Sequence, residues 1–327
     1  AIVVSFITFS VLYFFFAPPS GTPPETIRYG VTFTKSYAQY LGVPWKQVFT
    51  DTLDDLRVRL FRIGLNWDEI EQQDGLFSFE DFDWMMDEAH KRGAIVTLAI
   101  GRKLPRWPEC RVPRWVGVLD RGVSEERLMR MLGVVIDRYK RHPALEAWQV
   151  ENEPFFEFGN CPPPDKKLWI REVDRVRSRD AHHPIIGTDS GELGRWTTIA
   201  AHADRLGISM YRVAWNSVIG YVNFPSSAGM YQRKAQLLRR WVPNVFVSEL
   251  QLEPWLPGTD FHATTLQEQF RSMDRDRVVA TLRYSQSSGF TEQYLWGVEW
   301  WWWLKGTGDA SIWNFLRDTI RAGHPVL

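Results

Sequence analysis

The chain has no excess of charge of either sign. Its 39 Lys and Arg offset 39 Asp and Glu over 327 residues. That removes the electrostatic footprint that a nucleic acid or a strongly charged ligand would need. Cysteine is nearly absent, with only Cys110 and Cys161, and no spacing resembles a zinc site. His182 and His183 are adjacent, so they point in different directions on any regular element. No metal and no other cofactor is expected. The stretch Gly30-Val-Thr-Phe-Thr34 has no Gly-rich phosphate turn, which argues against an open dinucleotide-binding sheet. Repeats and low-complexity tracts are missing, apart from the run Trp300 to Trp303.

Long apolar runs are also missing, with one exception. Ala1 to Ala17 carries no charge and is mostly Ile, Val, Phe and Leu. As a helix it would be roughly 26 Å long, near the minimum for a bilayer span. The leading reading is a signal-anchor helix, and a cleavable signal peptide is the alternative, though no clear small-x-small site is present. A buried helix of the main domain is the plainer reading. The chain opens on Ala rather than Met, so residues upstream are expected. Either leading reading places the rest outside the cytoplasm, anchored to the membrane or secreted. Residues 18–26, rich in proline, then form a stiff tether. In an oxidising compartment Cys110 and Cys161 are candidates for a disulfide, since each follows a predicted strand by about ten residues and those strands would be neighbours in a barrel.

What is present is a large apolar fraction, 44%, and 17 tryptophans, many in predicted loops. Flat aromatic faces in a cleft stack on sugar rings or bases, and the neutral charge disfavours bases. From Ile27 on, strand and helix signals alternate with no second linker. Strands are predicted over 27–34, 57–65, 94–100, 146–153, 184–188, 206–210, 244–248 and 291–298. The clearest helix carries Leu128, Met131, Leu132, Val135, Ile136 and Tyr139 as one stripe, with Ser124 as its expected N-cap. Thr265 and Glu268 form a capping-box pattern for a long helix to Ser287. Eight βα units over about 300 residues predict an α/β fold, a (β/α)8 TIM barrel over residues 27–327.

Two predicted strands end on an acid. Trp148-Gln-Val-Glu-Asn-Glu-Pro154 is expected to stop at Glu153, because Pro154 lacks an N–H and disfavours helix before it. Val245-Phe-Val-Ser-Glu-Leu250 ends similarly at Glu249. Two acids on separate strands are what acid/base and nucleophilic work on one bond requires. Glu253 is the nearest competitor for the second role, but it sits before Pro254 in a loop. A barrel site lies at the C-terminal ends of its strands. Beside the two acids, that ring should hold Arg62, Trp67, Trp107, Asn152, Tyr211, Trp296, Glu299 and Trp300. Glu299 and Trp300 either bind substrate or cap the barrel. Trp296 either floors the site or simply packs.

The pattern Leu60-Phe-Arg-Ile-Gly-Leu-Asn-Trp-Asp-Glu-Ile-Glu71, followed by Asp74-Gly75, resembles the second strand and loop of clan A glycoside hydrolases. Trp148 to Pro154 resembles their fourth-strand motif, and Val247-Ser-Glu249 their seventh-strand motif. The likeness is nearest to cellulase-like family 5 and its relatives. It departs at the end of strand six, where Tyr211 stands in place of a histidine that many of them carry. The resemblance implies a retaining β-glycosidase acting on an oligo- or polysaccharide. Glu249 would be the nucleophile and Glu153 the acid/base, their carboxyls about 5 to 5.5 Å apart. Arg62 and Tyr211 would hold Glu249, Asn152 the sugar 2-hydroxyl, and Trp296 the sugar face. Trp67, Trp107, Trp215 and Trp255 are further subsite candidates. The rival readings are a non-catalytic glycan-binding barrel and a transglycosylase with the same carboxyl pair.

Overall fold

The computed structural model describes residues 10, 12–20, 22–258 and 260–325. Eight parallel strands close into a barrel: Arg28–Phe33, Leu60–Gly64, Ile95–Ile100, Leu145–Val150, Ile185–Asp189, Arg205–Met210, Val245–Gln251 and Glu292–Trp296. They are called strands one to eight below. Each pairs with its neighbours in chain order, and strand one closes on strand eight, Gly30 opposite Tyr294. The α/β expectation of a (β/α)8 barrel holds.

Alternation along the strands splits the interior in two. Leu60, Ala147, Ile186, Phe246 and Tyr294 fill the barrel floor, with Ile95 packed against them. The opposite face of each strand joins a much larger core beneath the helices, for example Phe61, Ile63, Trp148, Val150, Val247 and Leu250. Inward side chains next along the strands, toward their C-terminal ends, are polar: Thr32, Arg62, Gln149 and Thr188 are all buried. Such groups are stable there only if they bond one another, so the site is built directly on an apolar floor.

Local patterns differ from expectation in four places. Strand four stops at Val150, before the predicted end at Glu153. The helix Arg121–Tyr139 starts ahead of Ser124, after Asp120. The predicted helix to Ser287 is two helices, Leu266–Phe270 and Arg275–Ser287. Thr265 caps the first through Glu268 N, and Asp274 caps the second through Arg277 N. A hairpin, Val213–Asn216 with Gly220–Asn223, was not anticipated after strand six.

At the N-terminus residues 12–16 are helical, and the chain turns off at Ala17. Arg233 donates to the carbonyls of Phe14 and Ala17 at 2.8 and 2.9 Å, which satisfies acceptors left open at that helix end. Most of the predicted apolar helix, residues 1–9 and 11, lies outside the described residues. Among the described residues no helix is long and apolar enough to cross a membrane.

Candidate active site

Glu153 reaches the mouth of the barrel by a strained backbone. Glu151 and Glu153 both adopt positive φ, 59° and 43°. Left-handed non-glycine residues cost of order 1–3 kcal/mol each and persist only where surroundings hold them. Here they are held. Glu151 N donates to Ile100 O at 2.9 Å, and the Glu151 carboxylate accepts from the backbone N–H groups of Arg102 and Lys103. Gly101 permits this, because a Cβ there would lie 2.6 Å from the Glu151 carboxyl carbon. Glu153 N donates to Thr188 Oγ1 at 2.9 Å.

Glu249 arrives differently. Strand six pairs Ile208 with Val247 but Ser209 with Glu249, so strand seven carries one extra residue at Ser248. The pairing with strand eight slips at the same place, from Gln293 opposite Val247 to Leu295 opposite Leu250. Strict alternation would put Glu249 on the same outer face as Val247. The bulge reverses that parity, turning Glu249 inward while Leu250 stays in the outer core. Glu249 therefore lies within the strand and not at its tip, as Val245–Gln251 runs past it.

Arg62 links the two strand ends. Its Nη1 donates to Glu249 Oε1 at 2.7 Å, its Nη2 to Asn152 Oδ1 at 2.6 Å, and its Nε to Gln149 Oε1 at 2.6 Å. Tyr211 donates its hydroxyl to Glu249 Oε2 at 3.2 Å. Glu249 thus has both oxygens occupied by donors. Glu153 Oε1, by contrast, has no hydrogen-bond partner among the described residues. Both acids are almost fully buried, Glu153 at 6% and Glu249 at 5% exposure. Burial raises the Glu153 carboxyl well above the usual range, and the neighbouring Glu249 and Glu109 raise it further. Burial likewise raises the Tyr211 phenol, with Glu249 adding to the effect. The two acids thus stand in different surroundings, Glu249 between two donors and Glu153 with one oxygen open.

A second layer was not read from the sequence. The loop after strand three carries Lys103, Arg106 and Glu109, all under a tenth exposed. Arg106 lies between the rings of Tyr37 and Trp296, 3.7 and 4.1 Å from their centroids, and is ion-paired to Glu253 and Glu299. Trp296 Nε1 donates to Glu253 Oε1 at 2.7 Å. Glu253 is therefore engaged in holding Arg106 and Trp296, and one face of Trp296 is covered. Cys110 and Cys161 form a disulfide that ties this loop to the one after strand four. Four rings, Trp107, Phe158, Trp255 and Tyr211, run from neighbour to neighbour with centroids 5.7 to 5.8 Å apart. Of these, Trp107 is the most open, at 44% exposure. Trp215 stands on the hairpin beyond strand six.

Three of the candidates lie elsewhere. Trp67 is fully buried in a short helix and donates to Glu71. Glu299 and Trp300 belong to the helix Val298–Gly306, not to a strand tip. Glu299 is fully buried, accepts from Thr34 N and pairs with Arg106. Trp300 is fully buried and donates to Gln269. The reason is a left turn of the chain at Gly297, φ 123°, which starts a helix directly after strand eight. The signal for Lys103, Arg106 and Glu109 was weak: charges in a loop read as solvated.

No family model matches the chain. Part of it is similar in sequence to two β-galactosidases. BgaB of Geobacillus sp. (strain Y412MC61) is 28% identical over 122 residues, 32% of this chain and 18% of that protein. Pbg of Clostridium perfringens is 32% identical over 114 residues, 29% of this chain and 16% of that protein. The matched part thus spans under a fifth of either relative. Solved structures resemble nearly the whole barrel. GH5_18 from Bifidobacterium longum subsp. longum aligns at TM-score 0.59 and 13% identity, covering 83% of this chain and 69% of that one. Xylanase 10B from Thermotoga maritima aligns at TM-score 0.58 and 12% identity, covering 83% of each. What this chain shares with these structures is the fold, a (β/α)8 barrel. Within that fold the motifs at strands two, four and seven bring Arg62, Glu153 and Glu249 to one mouth.

Proposed function

We propose that this chain is a retaining β-glycosidase in which Glu249 is the nucleophile and Glu153 the acid/base. The observation that carries the reading is the asymmetry of the two acids. Arg62 and Tyr211 both donate to Glu249, while Glu153 keeps an unpartnered oxygen and a raised proton affinity. In double displacement Glu249 attacks the anomeric carbon as Glu153 passes its proton to the leaving oxygen. A glycosyl ester on Glu249 results. Glu153, now charged, takes a proton from water, and the hydroxide displaces Glu249 to give a product of unchanged anomeric configuration. In this reading Asn152 meets the sugar 2-hydroxyl, and the bond that its Oδ1 accepts from Arg62 supports that role. The arc of Trp107, Phe158 and Trp255 offers stacking faces for further sugar units.

The substrate is proposed to be a β-linked oligo- or polysaccharide. Relatives named as β-galactosidases make β-galactosides the first to try. A GH5_18 structure from Streptomyces cattleya holds GlcNAc, which adds N-acetylhexosaminides. The barrel over residues 27–327 is proposed as the catalytic domain, working outside the cytoplasm, anchored or secreted. The Cys110–Cys161 disulfide supports an oxidising compartment.

A panel of aryl β-glycosides followed by proton NMR of the first product tests this. The expected product is the β-anomer, formed before mutarotation. A first-formed α-anomer removes the nucleophile from the scheme. Binding to glycans without turnover, across the panel, favours the non-catalytic reading. Transfer to added sugar in preference to water favours the transglycosylase.

A further inference from the structure

A third acid stands beside the pair. Glu109 lies on the loop after strand three, 6% exposed, with φ at 65°. Lys103 on the same loop joins it to the acid/base residue. Lys103 Nζ lies 3.3 Å from Glu109 Oε2, and it donates to Glu153 O at 2.9 Å and to Phe156 O at 2.6 Å. One ammonium group therefore fixes the backbone of Glu153 from one side and carries a carboxyl on the other. The loop is closely held. Leu104 N donates to Glu109 O at 3.0 Å, and Asn160 N to Pro108 O at 2.9 Å. The disulfide at Cys110 adjoins Glu109. A buried carboxyl held by this much structure is not a solvated loop charge.

We propose that Glu109 is a positioning residue for the acid/base step: through Lys103 it seats Glu153, and its negative charge helps keep the proton on the Glu153 carboxyl until the leaving group takes it. This rests on the glycosidase reading above. Like charges that share a site cannot all ionise freely. The groups facing Glu153 are Glu249 from strand seven, Glu109 and Lys103 from the strand-three loop, Ser209 from strand six and Tyr211 just beyond it. Those facing Glu109 are Lys103, Glu249 and Arg62. Burial pushes the Glu109 carboxyl up to about 7 against the pull of Lys103. Burial raises Glu153 well above the usual range, and the charge of Glu249 and then that of Glu109 add to it. Glu109 touches no reacting atom in this scheme. It acts on Glu153.

The test follows Glu153 directly, without a substrate. Protein labelled with carbon-13 at the Glu carboxyls is titrated by NMR, and the Glu153 signal is assigned by its loss in Glu153→Gln. In Glu109→Gln the Glu153 midpoint should fall by roughly 0.5 to 1 pH unit. Glu109→Met serves if the Gln variant does not fold. Glu109→Asp, which keeps the charge, should restore most of the native midpoint. In turnover the alkaline limb of kcat/KM should move to lower pH by the same amount. An unchanged or raised Glu153 midpoint in the neutral variants overturns the inference. The glycosidase reading is tested apart from it by Glu153→Ala on 4-nitrophenyl and phenyl β-glycosides. Selective loss on the phenyl substrate upholds that reading, and equal loss on both refutes it. Selective loss combined with an unmoved midpoint removes the role of Glu109 alone.

Discussion

The ends of strands four and seven each deliver one glutamate to the same mouth, by opposite means. Strand four ends early, and its acid comes from a left-handed turn braced by the neighbouring loop. Strand seven continues through its acid and uses one extra residue to swing the side chain inward. The surroundings differ as well. Glu249 faces a guanidinium and a phenol, whereas Glu153 faces two other carboxyls and the ammonium group of Lys103. The same residue type is thus given two different environments by backbone placement and neighbours. A pair of titratable groups driven apart by environment is how one site supplies both a charged and a protonated acid.

Removing each acid in turn should break that symmetry of residue type most visibly. Glu249→Gln is expected to lower kcat roughly 10⁴-fold or more on every substrate, as loss of a covalent nucleophile does. Glu153→Gln should cost about 10²- to 10⁴-fold on poor leaving groups and much less on activated ones. Equal losses from both variants on a nitrophenyl glycoside would erase the distinction drawn here.

Arg62 ties the two ends together, so its loss should be felt in stability as well as turnover. The Arg62→Met variant leaves Glu249 buried without its cation. Breaking such a pair costs about 3–5 kcal/mol, readable as a lower urea midpoint. A midpoint close to native would mean that Arg62 orients without stabilising.

The smallest effect expected is on stability against pH. Glu109, Glu192 and Glu299 are each raised to about 7, chiefly by burial. Their folded forms hold protons that the unfolded chain releases near the ordinary carboxylate range, so this contribution is fully present below about 4.5 and is lost as pH rises to about 7. Asp180, lowered to about 2, acts in the opposite direction and only in strong acid. The melting temperature should therefore be higher at pH 5 than at pH 8. Glu299→Gln, whose site lies away from the two acids, should flatten that slope. A melting temperature that rises from pH 5 to 8 would contradict the buried, protonated assignment.

Much of this was legible along the chain. Runs such as Ile95–Ile100 are apolar apart from Thr97 because the strand is buried on both faces, and stripes such as Leu128 to Tyr139 repeat at the helical period. Eight such alternations leave few ways to close a parallel sheet. Glu153, Glu249, Arg62, Asn152 and Tyr211 stood out because a ring of polar groups at the ends of apolar strands is hard to explain as core. Trp67, Trp300 and Glu299 were misplaced for the converse reason. Near a strand tip, an inward and an outward side chain look alike in one dimension, and the turn at Gly297 moved two of them into a helix. Lys103, Arg106 and Glu109 were missed because a loop has no period to reveal which way its side chains face.

The order of amino acids by itself determined the barrel, the ordinal positions of its strands and the residue types at their ends, since periodicity and punctuation are local properties. Only the tertiary structure decided that Glu249 points inward, that Glu153 has an unpartnered oxygen, and that a buried ammonium and a third carboxyl stand behind it. Those depend on register against a neighbouring strand and on desolvation by distant loops, and both arise from contacts between residues far apart in the chain.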